Sequence, residues 1–172
     1  MHLFHAWVAR LSRISGVVSA LLMLVSVIVV CQMVFVRAVL GESSIWQTEF
    51  VTFSLIAATF LGAPYILLTR GHVAVDFVPL MASQPWKIRL AWISTLAAFG
   101  FCLLFFYSSL HWWWEAWVGD ITTPSMWRAR LWIPYLSVPV GMFLLCLQYV
   151  SDIWALATGQ TLTNDIEFEE VV

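Results

Sequence analysis

Charged residues are scarce in this sequence. Of its 172 residues only 10% are Asp, Glu, Lys or Arg, against about 25% in an ordinary soluble domain, so too few are present to cover a water-facing surface. The formal net charge is −2 and no basic run occurs, which argues against a nucleic-acid partner. Cysteine is sparse as well. Cys31, Cys102 and Cys146 lie far apart, each inside an apolar stretch, a pattern that fits neither a disulfide framework nor metal-ligand spacing. Catalytic punctuation is missing too. There is no GxSxG, HExxH or CxxC and no GxxxxGK(S/T) phosphate loop. The chain therefore has no recognisable hydrolytic machinery, and it cannot drive transport with ATP by itself. It reads as a non-enzyme with no cofactor of its own.

Hydrophobic residues make up 62% of the chain and come in blocks. Several blocks reach the roughly 20 residues that a bilayer-spanning helix needs. Lipid offers no partner for backbone N–H and C=O groups, so such blocks must be helical. The fold class is all-α, an integral membrane protein with four transmembrane helices. The spans are expected at about residues 14–36, 45–68, 88–118 and 131–156, together forming one domain over about 1–157. The first apolar stretch exceeds the 7–15 residues, roughly, of a signal-peptide core, and no small-x-small cleavage site follows it, so it is expected to be retained. About 30 residues make the third span near 45 Å long, beyond a hydrocarbon core of about 30 Å, so it must tilt or project. Residues 72–87 are too short to span, and Pro79 and Pro85 interrupt them. Val73, Phe77 and Leu80 share one face there, which predicts a short interfacial segment between the second and third spans. Pro134 falls near the first turn of the fourth span, where proline is tolerated. Pro139 lies deeper and is expected to kink the helix. Residues 158–172 form an acidic cytoplasmic tail through Asp165, Glu167, Glu169 and Glu170.

Orientation follows from the cations. Arg10, Arg13, Arg70, Lys87 and Arg89 fall on the side of the termini, and Arg37, Arg128 and Arg130 on the other. Five against three predicts both termini in the cytoplasm. Tryptophans mark the two boundaries: Trp7, Trp86, Trp92 and Trp154 on the inner side, Trp46, Trp112, Trp113, Trp114, Trp117, Trp127 and Trp132 on the outer. Their crowding on the outer side suggests a surface that meets something besides lipid.

Few polar residues are placed to act. Of the histidines His2, His5, His72 and His111, only His111 falls within a span, and near its end. The facing pair that would clamp a haem is missing, which weighs against a haem- or quinone-associated redox anchor, the competing reading of a four-span aromatic-rich chain. Glu49 opens the second span, where the helix dipole favours an anion, and Arg37 on the same side could pair with it. Glu115 lies near the outer end of the third span, four residues after His111. A small self-assembling exporter would need a proton-exchanging carboxylate at mid-span, and Glu49 is at a helix end. Arg70, His72 and Asp76 form a polar cluster at the inner boundary. Small residues recur every four positions in Ser12, Gly16 and Ala20, in Ser54, Ala58 and Gly62, in Ser94 and Ala98, and in Ser137 and Gly141. Such rows let helices approach closely. Four helices enclose little room for a substrate path, so some rows are expected to meet another protein.

The order of these features resembles the small membrane subunit of tripartite ATP-independent periplasmic (TRAP) transporters, the DctQ-like family. The stretch runs from Arg37 through Trp46-Gln-Thr-Glu49 and Phe60-Leu61-Gly62-Ala63 to Arg70-Gly71-His72-Val73-Ala74-Val75-Asp76. It ends in Leu131-Trp132-Ile133-Pro134-Tyr135 and Pro139-Val140-Gly141. The family often has two adjacent acidic residues near Glu49, and here Thr48 precedes it. The resemblance implies a scaffold subunit in the bacterial inner membrane, paired with a large multi-span DctM-like subunit that carries the substrate and sodium sites and moves as an elevator. A periplasmic binding protein would deliver the substrate, typically an organic acid anion. Structural or subunit-interface roles are implied for Arg37, Trp46, Glu49, Gly62, Arg70, His72, Asp76, Pro134 and Gly141.

Overall fold

The computed structural model describes residues 2–41, 45–69 and 84–157. Helix α1 covers His2–Phe35 and runs on as a wider π-helical turn, Val36–Leu40, that stops at Gly41. Gly41 takes φ +67°, the left-handed conformation that glycine adopts without a Cβ clash. Helix α2 is Gln47–Leu68, α3 is Gln84–Val118, α4 is the single turn Trp132–Tyr135, and α5 is Ser137–Ala157. Four stretches are long and apolar enough to cross a membrane: Ala6–Leu40, Gln47–Leu68, Trp92–Val118 and Trp132–Trp154. Among the described residues there is no strand, only one isolated bridge between Thr122 and Arg130. The chain is thus all-α with four membrane-length helices, as its composition requires.

Helix boundaries differ from the sequence reading in three places. The polar start is already helical from His2. Helix α3 begins at Gln84, so its 35 residues measure about 52 Å. Residues 84–87 of the expected interfacial segment are therefore its first turn; 70–83 lie outside the described residues, as does the 158–172 tail. The helical pattern of the fourth span is interrupted at Leu136, within a turn of Pro139, although Leu136 keeps helical dihedrals (φ −59°, ψ −31°). Pro139 has no N–H to give the Tyr135 carbonyl, and its ring crowds that oxygen. The interruption is held locally: Ser137 Oγ donates to the Pro134 carbonyl at 2.6 Å, and Val140 N–H to the Leu136 carbonyl at 3.2 Å.

The helices form an open row. Helix α1 packs along α2, α2 along α5, and α5 along α3, with a lesser contact between α1 and α5. Among the described residues the backbone of α3 stays more than 8 Å from α1 and α2. The end of the row opposite the chain termini, where α1 and α3 finish and α2 and α4 start, is called the distal end below.

Helix α2 is the centre of the row and is approached closely on two sides. Toward α1 it presents Ser54, Ala58 and Gly62, all buried. Ser19 Oγ of α1 donates to the Ala58 carbonyl at 2.6 Å. A Cβ on Gly62 would stand 2.8 Å from that same hydroxyl, and one on Gly16 2.5 Å from Cγ of Tyr65. Toward α5, buried Pro64 decides the geometry. Proline has no N–H, so the Phe60 carbonyl one turn back loses its helical donor. Gly141 of α5 sits on that carbonyl; a Cβ there would lie 2.6 Å from the Phe60 carbonyl carbon. Gly141 Cα therefore lies against that carbonyl, close enough for a weak Cα–H···O contact where lipid supplies none. Cys102, Met142, Leu145 and Cys146 form the α3–α5 core, with Phe60, Ala63 and Leu67 of α2 packed on it.

The four small-residue rows do not all serve this packing. Ser94 is exposed, and a Cβ on Gly100 would meet nothing within 4 Å. Three alanine substitutions separate these cases. Gly141→Ala drives a methyl into backbone that cannot move aside and should cost about 1–3 kcal/mol. Gly62→Ala meets only a serine hydroxyl and should cost less. Gly100→Ala should cost nothing. Unfolding midpoints in detergent should fall in that order, and equal midpoints for Gly141→Ala and Gly100→Ala would contradict the close approach.

Candidate subunit interface

The residues singled out by sequence divide between packing positions, the distal end and the undescribed part of the chain. Gly62 and Gly141 lie on α2's two close contacts and are internal to this chain. Pro134 is half-buried in α4, where its carbonyl accepts the Ser137 hydroxyl. Arg70, His72 and Asp76 lie outside the described residues. Arg37, Trp46 and Glu49 are brought to the distal end.

Trp46 sits immediately before α2. Its ring meets Phe50 edge-on at 6.1 Å and Trp127 at 6.4 Å, which ties the 119–131 connection to the start of α2. A second aromatic group stands alongside: Trp117 meets Trp132 edge-on at 4.6 Å and Trp113 at 5.8 Å. Arg37 is exposed in the π-helical turn. It does not close on the buried oxygen of Glu49, because Glu49 Oε2 has no hydrogen-bond partner. His111 and Glu115 are both exposed.

The connection between α3 and α4 is an ordered knuckle. Thr123 N–H donates to the Ala129 carbonyl at 3.0 Å, and Leu131 N–H to the Ile121 carbonyl at 3.0 Å. Thr123 is buried, and its hydroxyl accepts from Ala129 N–H at 3.1 Å. Asp120 and Arg128 hold φ of +42° and +49°, conformations that non-glycine residues adopt only under constraint. The Asp120 carboxylate lies 3.8 Å from Arg130 Nε, an exposed pair of small energetic weight. Together these bonds hold up Met126, which is 87% exposed. Thr and Ser around a proline are a turn signal, but the reciprocal Thr123–Ala129 bonding has no sequence signature.

Nothing in this geometry is arranged for bond-making chemistry. Among the described residues no group of three His, Cys, Asp or Glu side chains could hold a metal ion. Most of the apolar surface instead faces outward: only 6% of the α3 span is buried, and Phe101, Leu104 and Tyr107 all project from it. Residues 26–159, from the middle of α1 past the end of α5, match the family model of the DctQ component of tripartite ATP-independent periplasmic transporters. The chain belongs to the DctQ family. It resembles the C4-dicarboxylate TRAP transporter small permease protein DctQ of Vibrio cholerae, at 21% identity over 92% of this chain and 79% of that protein. It also resembles the protein of the same description from Pseudomonas aeruginosa, at 28% identity over 64% of this chain and 53% of that protein. A DctQ protein is a transporter component of the inner membrane and not an enzyme, and the redox-anchor reading is not favoured.

The knuckle gives a direct test of local order. Thr123→Val keeps the shape but removes the acceptor of Ala129 N–H, which should cost about 1–3 kcal/mol of local stability. Amide exchange over residues 121–131 should speed up by tenfold or more, with the helices unchanged. Unaltered exchange there would show that the hydroxyl does not hold the loop.

Proposed function

We propose that this DctQ protein is the small scaffold subunit of a sodium-coupled importer of an organic acid anion. A large DctM-like subunit carries the substrate and sodium sites and moves as an elevator. The small subunit anchors it in the bilayer, and a periplasmic binding protein delivers the substrate. The observation that carries this reading is the open row: four spanning helices that, among the described residues, bury little of one another and enclose no path, in a sequence with no energy-coupling motif. An elevator needs a part that stays still while another moves. A row fixed by backbone-level contacts at α2 supplies a stiff, wide body for that purpose. The related proteins from V. cholerae and P. aeruginosa are described as C4-dicarboxylate transporter components, which supports a small carboxylate as the cargo class. The excess of Lys and Arg on the side of the termini supports a cytoplasmic location for both. The distal knuckle and its tryptophans then face the periplasm.

Reconstitution tests the whole reading. Proteoliposomes holding this chain alone should take up no organic acid. Those holding it with the large subunit should take up the acid only with an inward sodium gradient and added binding protein. Uptake by the chain alone, or full uptake by the large subunit without it, would overturn the assignment.

A further inference from the structure

Buried polar groups are treated differently at the two ends of the row. Toward the termini, Ser12 Oγ donates to Gln148 Oε1 at 3.4 Å and Ser15 Oγ to the Ser12 carbonyl at 2.9 Å. At the distal end, Gln47 Oε1, Glu49 Oε2 and Trp113 Nε1 are buried with no hydrogen-bond partner. These three are all of the buried unpartnered side-chain atoms among the described residues. Native interiors leave few such atoms, so the distal end is where this chain's own polar groups are least balanced.

Glu49 is the costly member, because an ionised carboxylate can only accept and needs donors at both oxygens. One of its oxygens is sealed, while the residue as a whole is only half-buried. A cation can therefore reach it only from the open side. That side is defined by helix geometry. Ile56 and Phe60 follow Glu49 by seven and eleven residues, so the three share one stripe of α2. Ile56 and Phe60 line an open groove of about 480 Å³ between α2 and α3, with Phe105 and Trp112 of α3 and Val138 of α5 among its other lining residues. The stacked Phe60 and Phe105 rings, 5.8 Å apart, reach across the groove. Seven residues place Glu49 about 10 Å beyond Ile56, above the groove's distal end.

We propose that this groove receives an apolar membrane segment of the large subunit, and that a Lys or Arg on that segment pairs with Glu49. The inference rests on the association proposed above and names the chemistry of its contact. An apolar segment lying in the groove would cover the open side of Glu49. A carboxylate covered without a counter-charge is strongly disfavoured in a membrane, so the covering segment must carry the cation. A side chain on a fixed helix meets this demand at one depth and one orientation, whereas a mobile lipid ammonium headgroup does not.

The test is co-purification of this chain on a tagged large subunit expressed from the same membrane. Glu49→Gln keeps the shape and removes the charge; it should weaken retention about 30-fold or more, with the unfolding midpoint of the isolated small subunit unchanged. Glu49→Lys should abolish retention, and one Lys→Glu or Arg→Glu change in a periplasmic-side segment of the large subunit should restore it. Wild-type retention by Glu49→Gln overturns the inference and leaves the scaffold reading intact. Loss that no large-subunit substitution reverses, but that tracks the removal of amine-headgroup lipid, overturns it in favour of a lipid contact. Failure of the wild-type chain to co-purify overturns both.

Discussion

A backbone carbonyl without a donor is the constraint around which this bundle is built. Inside a bilayer no water can satisfy such a group, and each one left alone costs several kcal/mol, roughly. Pro64 creates one at Phe60, in the middle of the central helix. The chain answers with Gly141, the single residue type that lets another helix backbone come against that oxygen. Because the answer requires backbone contact, it fixes how deep and at what register α5 meets α2. The α3–α5 core, anchored on Cys102, Met142 and Cys146, then inherits its position from that register. On the opposite side Ser19 performs the same kind of task, capping the Ala58 carbonyl and filling the space above Gly62.

Hydrophobicity cannot explain why these helices stay together, because lipid tails are as apolar as leucine. What distinguishes protein contact from lipid contact is close packing and hydrogen bonding. Both are concentrated on α1, α2 and α5 and absent from most of α3. Its outward aromatic residues are equally at ease against acyl chains or another protein, so exposure alone identifies no interface. Unpartnered polar atoms do discriminate, since lipid tails cannot satisfy them. Their concentration at the distal end, beside a knuckle that displays Met126, marks the end where the chain's own bonding is least complete.

Much of this was legible in the sequence, and the gaps have physical causes. Helix number follows from block length and the scarcity of charge, because a bilayer leaves the backbone no alternative. Three of the four small-residue rows mark real contacts for the same reason: a small residue every fourth position makes a groove. Ser94 carries the same pattern and is nevertheless exposed, because spacing shows that a helix can be approached and not whether anything does so. The Pro64–Phe60–Gly141 contact has no signature in the sequence: Gly141 stands out there only as a small residue, 81 positions after Phe60, and nothing in the spacing pairs the two. The pairing of Arg37 with Glu49 that the sequence left open is not made at the buried oxygen, Glu49 Oε2, although both residues sit at the same end of the row. Membership of one membrane face fixes depth but leaves the angle around the bundle open.

An open row has a mechanical consequence for the scaffold reading. A closed four-helix ring would bury its small residues inward and present a uniform exterior. This chain instead lets α1, α2 and α5 touch one another and carries α3 to one side, reached through α5 and the α4 turn, so the body is elongated in the membrane plane. Width in the membrane plane is what a static support needs when a neighbouring domain slides past it along the membrane normal. Such a support must also resist tilting. Stiffness follows from contacts at backbone level, since two helices touching through glycine cannot rock as helices separated by long side chains can. The contacts that satisfy the lipid's demand on Phe60 and Ala58 thus also make the body rigid, and the polar atoms left over at its distal end give that body a direction in which to be held.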